Sequence, residues 1–246
     1  MAFSLPKGMQ ITWLGHASFL ITTPQGKRIL IDPFLQGNPV TPDDQKQVDS
    51  VDLMLVTHGH SDHCADAVSL AKQTGCPVAG MVELMGYLGK SGVDGSQLNG
   101  MNKGGSLRFP DLGVTVTVTH AFHSSGIEDG QQTLYGGEPA GFVVTLDDGF
   151  AFYFAGDTDV FGDMALISDL WQPKLAFLPI GDRFTMNGRT AAKAVTLMPS
   201  VEVAVPMHFG TFPLLTGTAE DFEKAVRDSG ASVEVRTMKP GETWEG

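Results

Sequence analysis

The chain has 246 residues, of which 42% are hydrophobic and 18% are charged, and its formal net charge at pH 7 is −12. This composition is typical of a folded globular protein and excludes a disordered chain. The acidic excess argues against nucleic acid as the main partner, because affinity for phosphates comes largely from Lys and Arg.

No apolar run approaches the roughly 20 residues that cross a bilayer, and the first residues lack the basic and apolar regions of a signal peptide. The two Cys, Cys64 and Cys76, are too few for a disulfide framework and suit a reducing compartment. We therefore expect a cytoplasmic protein without membrane attachment that folds as one domain over residues 1–246.

The first half of the chain starts with predicted strands and continues into alternating strands and helices. Apolar and β-branched runs predict strands over residues 9–13, 18–22, 28–31, 51–57 and 77–80. Helical spacing of apolar residues predicts helices over 65–73 and 81–88, and Gly75 offers a C-terminal stop for the first of them.

The second half repeats this order. Apolar or alternating runs predict strands over residues 114–120, 142–146, 150–155, 175–179, 201–206 and 233–237, with a hairpin turn at Asp147-Asp148-Gly149. Helices are expected over residues 164–170, 190–197 and 219–228. Two mixed sheets packed face to face, with helices outside, would account for both halves.

One motif directly follows the predicted strand at 51–57. His58, His60, Asp62 and His63 fall within six residues, separated by small residues that let a loop bend. Imidazole and carboxylate groups are the ligands that borderline divalent metals prefer, so the motif predicts a metal site. In the alternative interpretation, Asp62 caps the following helix and the histidines form an incidental, solvent-exposed cluster.

Three further candidate ligands lie where predicted strands of the second half give way to loops. They are His123, Asp157 and His208. Such strand ends are the usual place for functional residues on α/β scaffolds. His120, at the end of a predicted strand, is an alternative to His123 as a ligand.

Six more segments join the H-x-H-x-D-H motif of residues 58–63 in one pattern. They are WLGHASF at 13–19, IDP at 31–33, AFHSS at 121–125, AGDT at 155–158, LPIGDRFTM at 178–186 and PMHFGTF at 206–212. With these segments in this order, the chain resembles a hydrolase of the metallo-β-lactamase superfamily, and more narrowly its metal-dependent hydrolase branch related to ascorbate-6-phosphate lactonase. The resemblance implies an α/β fold, a four-layer αββα sandwich, with metals at one edge of the two sheets.

The resemblance also implies two divalent metal ions and a ligand set for them. The first metal would be held by His58, His60 and His123, the second by Asp62, His63 and His208, and both by a bridging Asp157. The family pattern places a ligand directly before Ser124-Ser125 and so favours His123 over His120. Zinc is expected rather than manganese, although the donor set itself fits either ion. Cys64 is expected to pack as a small apolar residue and not to bind as a thiolate.

The sequence therefore predicts a metal-dependent hydrolase that acts on a small molecule. We expect a hydroxide bridging the two metals to attack a small ester, lactone or phosphodiester, because coordination lowers the pKa of water from ~15.7 to ~7. Asp62 would help to orient this nucleophile. The alternatives are a nuclease or RNA-processing phosphodiesterase with the same metals, which normally needs a basic groove, and a metal-binding scaffold without catalysis. The resemblance is also compatible with a homo-oligomer.

Three more residues have two interpretations each. His16 is expected at the rim of the site as a substrate contact or proton donor, or else hydrogen-bonded within a hairpin. Asp32 is expected either to orient a ligand histidine or to cap the turn before the proline that follows it. Arg183 is expected either to anchor an anionic group of the substrate or to form a surface ion pair with Asp182 or another acid.

Overall fold

The computed structural model describes residues 3–246, and six strands of its first half build most of one seven-stranded sheet. These strands are β1 (Gln10–Gly15), β2 (Ser18–Thr22), β3 (Arg28–Ile31), β4 (Leu53–Val56), β5 (Val78–Met81) and β6 (Leu98–Met101). The first three are antiparallel neighbours, and β3 to β6 pair in parallel.

The second half builds another seven-stranded sheet and a separate hairpin. Its strands are β7 (Ser106–Phe109), β8 (Val114–His120), the hairpin strands β9 (Gly126–Asp129) and β10 (Gln132–Tyr135), then β11 (Ala140–Leu146), β12 (Ala151–Phe154), β13 (Leu175–Pro179), β14 (Val203–Met207) and β15 (Glu234–Val235). The sheet order is β15-β14-β13-β12-β11-β8-β7. The last strand, β16 (Thr243–Glu245), returns to the first sheet and pairs with β1.

Helices cover the outer faces of both sheets. They are α1 (Ser61–Cys64), α2 (Ala67–Thr74), α3 (Val82–Lys90), α4 (Met164–Trp171), α5 (Gly188–Leu197) and α6 (Ala219–Ser229). Helices α2 and α3 contact the first sheet. Over the described part of the chain, every helix is too short or too polar to span a bilayer.

Alternating side chains divide the second sheet between two hydrophobic clusters. In β12, Phe152 and Phe154 join the cluster between the sheets, whereas Tyr153 joins the cluster beneath the helices that follow. In β13, Phe177 faces inward and Leu178 faces outward in the same way. Because successive side chains of a strand point to opposite faces, both faces of this sheet are buried. The expected four-layer αββα fold is thus confirmed.

The differences from the sequence-based elements are local. The helix expected over 65–73 is wrong at its start, because a separate helical turn, α1, precedes α2. Gly75 ends α2 in the left-handed conformation, with φ of 68°, as the sequence indicates. Strands β6, β7, β9, β10 and β16 were not predicted. Each has only three or four residues, at least two of which are polar, charged or Gly, so none forms an apolar run, as Asn99 and Gly100 in β6 illustrate.

One edge of the sandwich collects the ends of the strands that bear the motifs. Strands β8, β12 and β14 run in the same direction, since β11 lies antiparallel to both β8 and β12 and β12 to β14 are parallel. Backbone hydrogen bonds join the two sheets at this edge: the Ala140 N–H donates to the Thr57 oxygen at 3.1 Å, and the His208 N–H donates to the His16 oxygen at 3.0 Å.

A glycine after β13 allows a close approach between two loops of the second sheet at the same edge. A Cβ at Gly181 would lie 2.1 Å from the backbone oxygen of His208. We therefore expect Gly181→Ala to displace the backbone at His208 and to lower the free energy of unfolding by about 1–3 kcal/mol, as overpacking does. Denaturant unfolding, together with the metal content of the purified protein, measures both effects.

The matched control is Gly86→Ala in α3, where an added Cβ meets no heavy atom within 4 Å. This substitution should leave the metal content unchanged and should leave the stability unchanged or raise it, because Ala favours a helix over Gly by about 1 kcal/mol. Equal unfolding midpoints and equal metal contents for the two variants would show that a Cβ at Gly181 fits without displacing the backbone at His208.

Candidate metal centre

The loop after β4 brings the first two imidazoles together. His58 follows β4, and His60 is the residue before α1. Nε2 of His58 lies 2.9 Å from Nδ1 of His60. Between them, Gly59 leaves room for Ile127 of β9, whose Cγ1 would lie 2.5 Å from a Cβ at this position. The glycine of the motif is therefore needed for packing against the hairpin.

His123 joins these two residues from the second sheet. It follows β8, and its Nε2 lies 3.3 Å from Nδ1 of His60. The ligand atoms of His58, His60 and His123 all lie within 4.8 Å of one another. His120 lies apart from them, with its Nδ1 3.0 Å from Nζ of Lys103. The geometry thus places His123, and not His120, with the motif.

A second group forms where α1 meets the end of β14. Asp62 and His63 lie on α1, and His208 follows β14. Oδ2 of Asp62 lies 3.7 Å from Nε2 of His208 and 4.0 Å from Nε2 of His63. Two separate sheets therefore contribute to this group as they do to the first.

Asp157 lies between the two groups. It follows β12, and its side chain is only 2% exposed. Its Oδ2 lies 2.9 Å from Nε2 of His208, 3.3 Å from Nε2 of His63 and 3.5 Å from Nε2 of His123. A single carboxylate oxygen therefore faces ligand atoms of both groups.

Unpartnered buried atoms indicate that this cluster fits metal ions. Within residues 3–246, Nε2 of His63, Nε2 of His208 and Oδ1 of Asp157 are buried without a hydrogen-bond partner, which is rare for polar atoms in a protein interior. The distances around Asp157 are 2.9–3.5 Å, close to the roughly 3.3 Å expected between ligands of a tetrahedral zinc site. Nitrogen and oxygen donors suit borderline divalent cations.

The charges of the cluster favour a bound cation. Burial alone would raise the pKa of Asp157, but the neighbouring His208 and His63 hold it well below its ordinary value. Burial alone would lower the pKa of His63, but Asp157 and Asp32 raise it well above its ordinary value. The two carboxylates thus attract positive charge to Nε2 of His63, where a cation can replace the proton.

Asp32 contacts His63 directly and His58 through Thr57. Its fully buried carboxylate accepts hydrogen bonds from the Thr57 N–H and the Thr57 hydroxyl, each at 2.7 Å, and Oδ2 lies 2.8 Å from Nδ1 of His63. Oγ1 of Thr57 lies 3.0 Å from Nδ1 of His58 and, with its proton given to Asp32, accepts from that nitrogen. Nε2 of both histidines is then free to bind a metal. The geometry favours the orienting interpretation of Asp32 over the turn cap.

His16 lies deeper than the sequence indicates. Its side chain is fully buried, so its expected location at the rim is wrong. Nε2 lies 3.0 Å from Oδ2 of Asp62, and Nδ1 lies 2.9 Å from Oγ1 of Thr211, so its bonds also reach outside the hairpin of β1 and β2. Burial and the neighbouring His208 lower the pKa of His16 to about 4, which makes it neutral at pH 7. Its assignment as a substrate contact or proton donor stays a prediction.

Arg183 and Cys64 lie outside the set of ligand atoms. The Arg183 side chain is exposed, and its guanidinium lies over the ring of Phe184, 5.3 Å from the centroid. Its role as a substrate anchor stays a prediction. The Cys64 thiol donates to the backbone oxygen of Gly59 at 3.3 Å, and burial raises its pKa to about 12. Cys64 belongs to none of the groups of ligand atoms in the described residues.

Three residues at the site have a left-handed backbone although they are not glycine. The φ angles are 56° for His16, 50° for Asp32 and 56° for His208. Such a conformation costs about 1–2 kcal/mol for an L-residue and persists where surrounding contacts determine it. The interactions of these three side chains are therefore specific enough to hold the backbone in place.

Comparison with known proteins agrees with this geometry. Residues 27–209 match the family model of the beta-lactamase superfamily domain. The chain belongs to this superfamily. A UPF0173 metal-dependent hydrolase of Rubrobacter xylanophilus is 54% identical over 237 residues, which are 96% of each chain. A UPF0173 metal-dependent hydrolase of Methanopyrus kandleri is 45% identical and covers 96% of this chain and 100% of its own.

Among solved structures, Igni18, a metallo hydrolase from Ignicoccus hospitalis, superposes with a TM-score of 0.83 at 35% identity and covers 96% of this chain and 97% of its own. The superfamily member described here is thus a metal-dependent hydrolase, as the motifs predict. Its narrower relation to ascorbate-6-phosphate lactonase stays a prediction.

Sequence reasoning missed several hydroxyl groups that contact the histidines or the glycine between two of them. The Ser125 hydroxyl accepts from the Gly59 N–H at 3.1 Å, and Oγ of Ser124 lies 3.3 Å from Nε2 of His60. Thr57 and Thr211 contact His58 and His16. Each hydroxyl lies within one to three residues of a histidine in a matching segment, which was the available signal.

Asp32→Asn tests the support beneath the metal ligands. An amide cannot accept all three hydrogen bonds as an anion does, so we expect metal affinity to fall by about 10- to 100-fold, the usual effect of losing a ligand-orienting partner. Competition with a chromogenic chelator measures the affinity.

Asp66→Asn is the matched control, because Asp66 is also buried and accepts from the N–H groups of Leu35 and Gln36. Its metal affinity should stay within about twofold of the wild type, an estimate for a carboxylate with no ligand contact. Wild-type affinity in Asp32→Asn would instead support the turn-cap interpretation.

Proposed function

We propose that the chain hydrolyses a small ester, lactone or phosphodiester at a site for two divalent cations, with zinc preferred over manganese. One observation carries the proposal: imidazole and carboxylate groups from both sheets meet at one edge, where Oδ2 of Asp157 lies 3.5 Å from Nε2 of His123 in the first group and 2.9 Å from Nε2 of His208 in the second. The first cation would be held by His58, His60 and His123, the second by Asp62, His63 and His208, and both by Asp157.

The cations would supply an acidified water and an electrophile for a carbonyl or phosphoryl oxygen. The exposed fraction of each carboxylate side chain indicates which of them a substrate can reach. Asp157 and Asp32 are buried, at 2% and 0% exposed, whereas the Asp62 side chain is 31% exposed. Asp62 is therefore the carboxylate that can meet both a substrate and the attacking water, and we assign it the orienting role.

A cavity beside His123 supports a small-molecule substrate. Its volume is about 470 Å³, and its lining includes His123, Ser124, Leu134, Tyr135 and Glu138. Sites for small molecules have volumes of roughly 300–1,000 Å³. The hairpin of β9 and β10 forms one wall, so a substrate in this cavity would lie between the hairpin and the first group of ligands.

The polar groups of this cavity compensate one another. The Tyr135 hydroxyl donates to Oε1 of Glu138 at 3.3 Å, and Oε2 of Glu138 lies 3.6 Å from Nζ of Lys103. The exposed Tyr135 ring, at 69%, offers an apolar contact surface. This lining suits an uncharged aromatic or alkyl substituent better than a nucleic acid.

Both Cys are free thiols, which supports the proposed cytoplasmic location.

A substrate panel tests the proposal directly. The purified chain, loaded with zinc or manganese, should turn over at least one of an aryl ester, a lactone and a bis-aryl phosphodiester. Chelation should abolish the activity, and the same metal should restore it. Cleavage of RNA alone, lost at raised salt, would instead support the nuclease alternative. Full metal loading without any turnover would support the non-catalytic scaffold.

The double variant His58→Ala/His60→Ala tests the ligand assignment. It should lower the metal content from about two ions per chain to about one and lower kcat/KM by at least about 1,000-fold, since a site that loses two of its ligands no longer completes the catalytic centre. His120→Ala is the control and should retain metal and activity. Wild-type metal content and turnover in the double variant would contradict the assignment.

Tyr135→Ala tests the cavity. Loss of one aromatic contact is worth about 0.5–1.5 kcal/mol, so KM for an aryl ester should rise by about 3- to 10-fold with little change in kcat. The methyl ester of the same acid serves as the control, because it leaves the ring of Tyr135 without a partner. An equal change of KM for both esters would exclude this wall as the contact for the substituent.

A further inference from the structure

We propose that Thr211 is a positioning residue, whose hydroxyl donates to Nδ1 of His16 and so holds the ring in the orientation in which Nε2 donates a hydrogen bond to Asp62. The consequence for turnover rests on the proposed function, whereas the tautomer is a property of the chain itself. Thr211 lies in the loop after β14, three residues beyond His208.

The three side chains form a continuous chain of short contacts. Oγ1 of Thr211 lies 2.9 Å from Nδ1 of His16, and Nε2 of His16 lies 3.0 Å from Oδ2 of Asp62. His16 is fully buried and Thr211 is 7% exposed, so bulk water does not compete for these bonds.

The backbone of His16 is held as firmly as its ring. Its carbonyl oxygen accepts from Nε1 of Trp13 at 2.9 Å and from the N–H of His208 at 3.0 Å. With ring and backbone both fixed, the remaining variable is which ring nitrogen carries the proton.

The acceptor capacity of the neighbours decides the tautomer. A neutral imidazole has one N–H, and an ionised carboxylate only accepts. The proton therefore lies on Nε2, which faces Asp62, and Nδ1 accepts from the Thr211 hydroxyl. The Thr211 hydroxyl has one other recorded acceptor, the backbone oxygen of Phe209 at 3.5 Å, and this longer contact is weaker than the 2.9 Å contact with Nδ1 of His16.

The opposite tautomer would give His16 a different role. Nε2 of His16 lies within 4.8 Å of the ligand atoms of Asp62, His63 and His208, so a lone pair on this nitrogen could itself bind a metal. In that case Nδ1 would donate to Thr211, and two electron-rich atoms would face each other across the 3.0 Å between His16 and Asp62. Donation by His16 avoids this repulsion.

Donation also restrains the carboxylate assigned to orient the water. Asp62 is the more exposed of the two ligand carboxylates, with a side chain 31% exposed against 2% for Asp157, and is therefore free to rotate unless a fixed donor holds it. A buried N–H from His16 keeps Oδ2 turned toward His208. Thr211 acts on Asp62 through His16, since without the Thr211 hydroxyl the His16 ring loses the hydrogen bond at Nδ1 that holds it toward Asp62.

Imidazole ¹⁵N NMR of the zinc-loaded full chain measures the tautomer without any turnover. The His16 resonances, assigned with His16→Gln, should show a protonated Nε2 and an acceptor Nδ1. A proton on Nδ1 would overturn the proposal and point to His16 as a metal ligand. This measurement stands even if no substrate of the panel is hydrolysed, so failure of the proposed function and failure of this inference are distinguishable.

Variants of Thr211 measure the consequence. Thr211→Val keeps the shape but removes the hydroxyl, and loss of one buried hydrogen bond predicts a fall in kcat of about tenfold with KM within about twofold. Thr211→Ser restores the hydroxyl and should restore kcat. Metal content should be equal in all three proteins, because none of the ligands is changed.

Thr117→Val is the matched control, because Thr117 is buried in β8 and its hydroxyl contacts Ser106 at 2.7 Å, away from the site. It should keep wild-type kcat and the His16 tautomer, whatever its effect on the free energy of unfolding. Equal kcat in Thr211→Val and wild type, or equal impairment in Thr211→Val and Thr211→Ser, would overturn the positioning role.

Discussion

The site depends on a single buried carboxylate, that of Asp32. It accepts two hydrogen bonds from Thr57 and one from His63, and through the Thr57 hydroxyl it also sets the proton on His58. One anion therefore determines which nitrogen two histidines present to the cluster, one in each group of ligands. A buried charge without partners would be costly, so these bonds are also a condition for folding the edge at which the strands end.

The fold brings the strand ends to one edge, and local backbone conformation then orients the side chains of the site. Parallel and antiparallel pairing brings the ends of β4, β8, β12 and β14 to one edge, but the ligand side chains must still turn toward each other. The left-handed φ angles of Asp32 and His208 make part of this turn. Two glycines allow the loops to approach closely enough for this turn. A Cβ at Gly59 would meet Ile127 of the hairpin, and a Cβ at Gly181 would meet the backbone oxygen of His208.

The sequence predicted the ligands better than their environment. Residue type and spacing were sufficient for the motif, and strand ends were sufficient for His123, Asp157 and His208, because these features are local. The depth of His16 was not predictable, since it arises from packing against a loop almost two hundred residues away. The sequence also does not show that Nδ1 of His60 is the nitrogen that faces His58 and His123. This orientation depends on where the other two histidines lie, and no local pattern encodes that arrangement.

Two threonines at this site show how an identical side chain can have opposite effects on an imidazole. The Thr57 hydroxyl gives its proton to Asp32, so its oxygen accepts from Nδ1 of His58 and leaves Nε2 as a lone pair facing the cluster. The Thr211 hydroxyl has no carboxylate beside it, so its proton goes to Nδ1 of His16 and Nε2 keeps a hydrogen for Asp62. Whether a histidine at this edge binds a cation or donates to a carboxylate therefore depends on where the nearest carboxylate lies, because the hydroxyl can serve a ring nitrogen as donor or as acceptor.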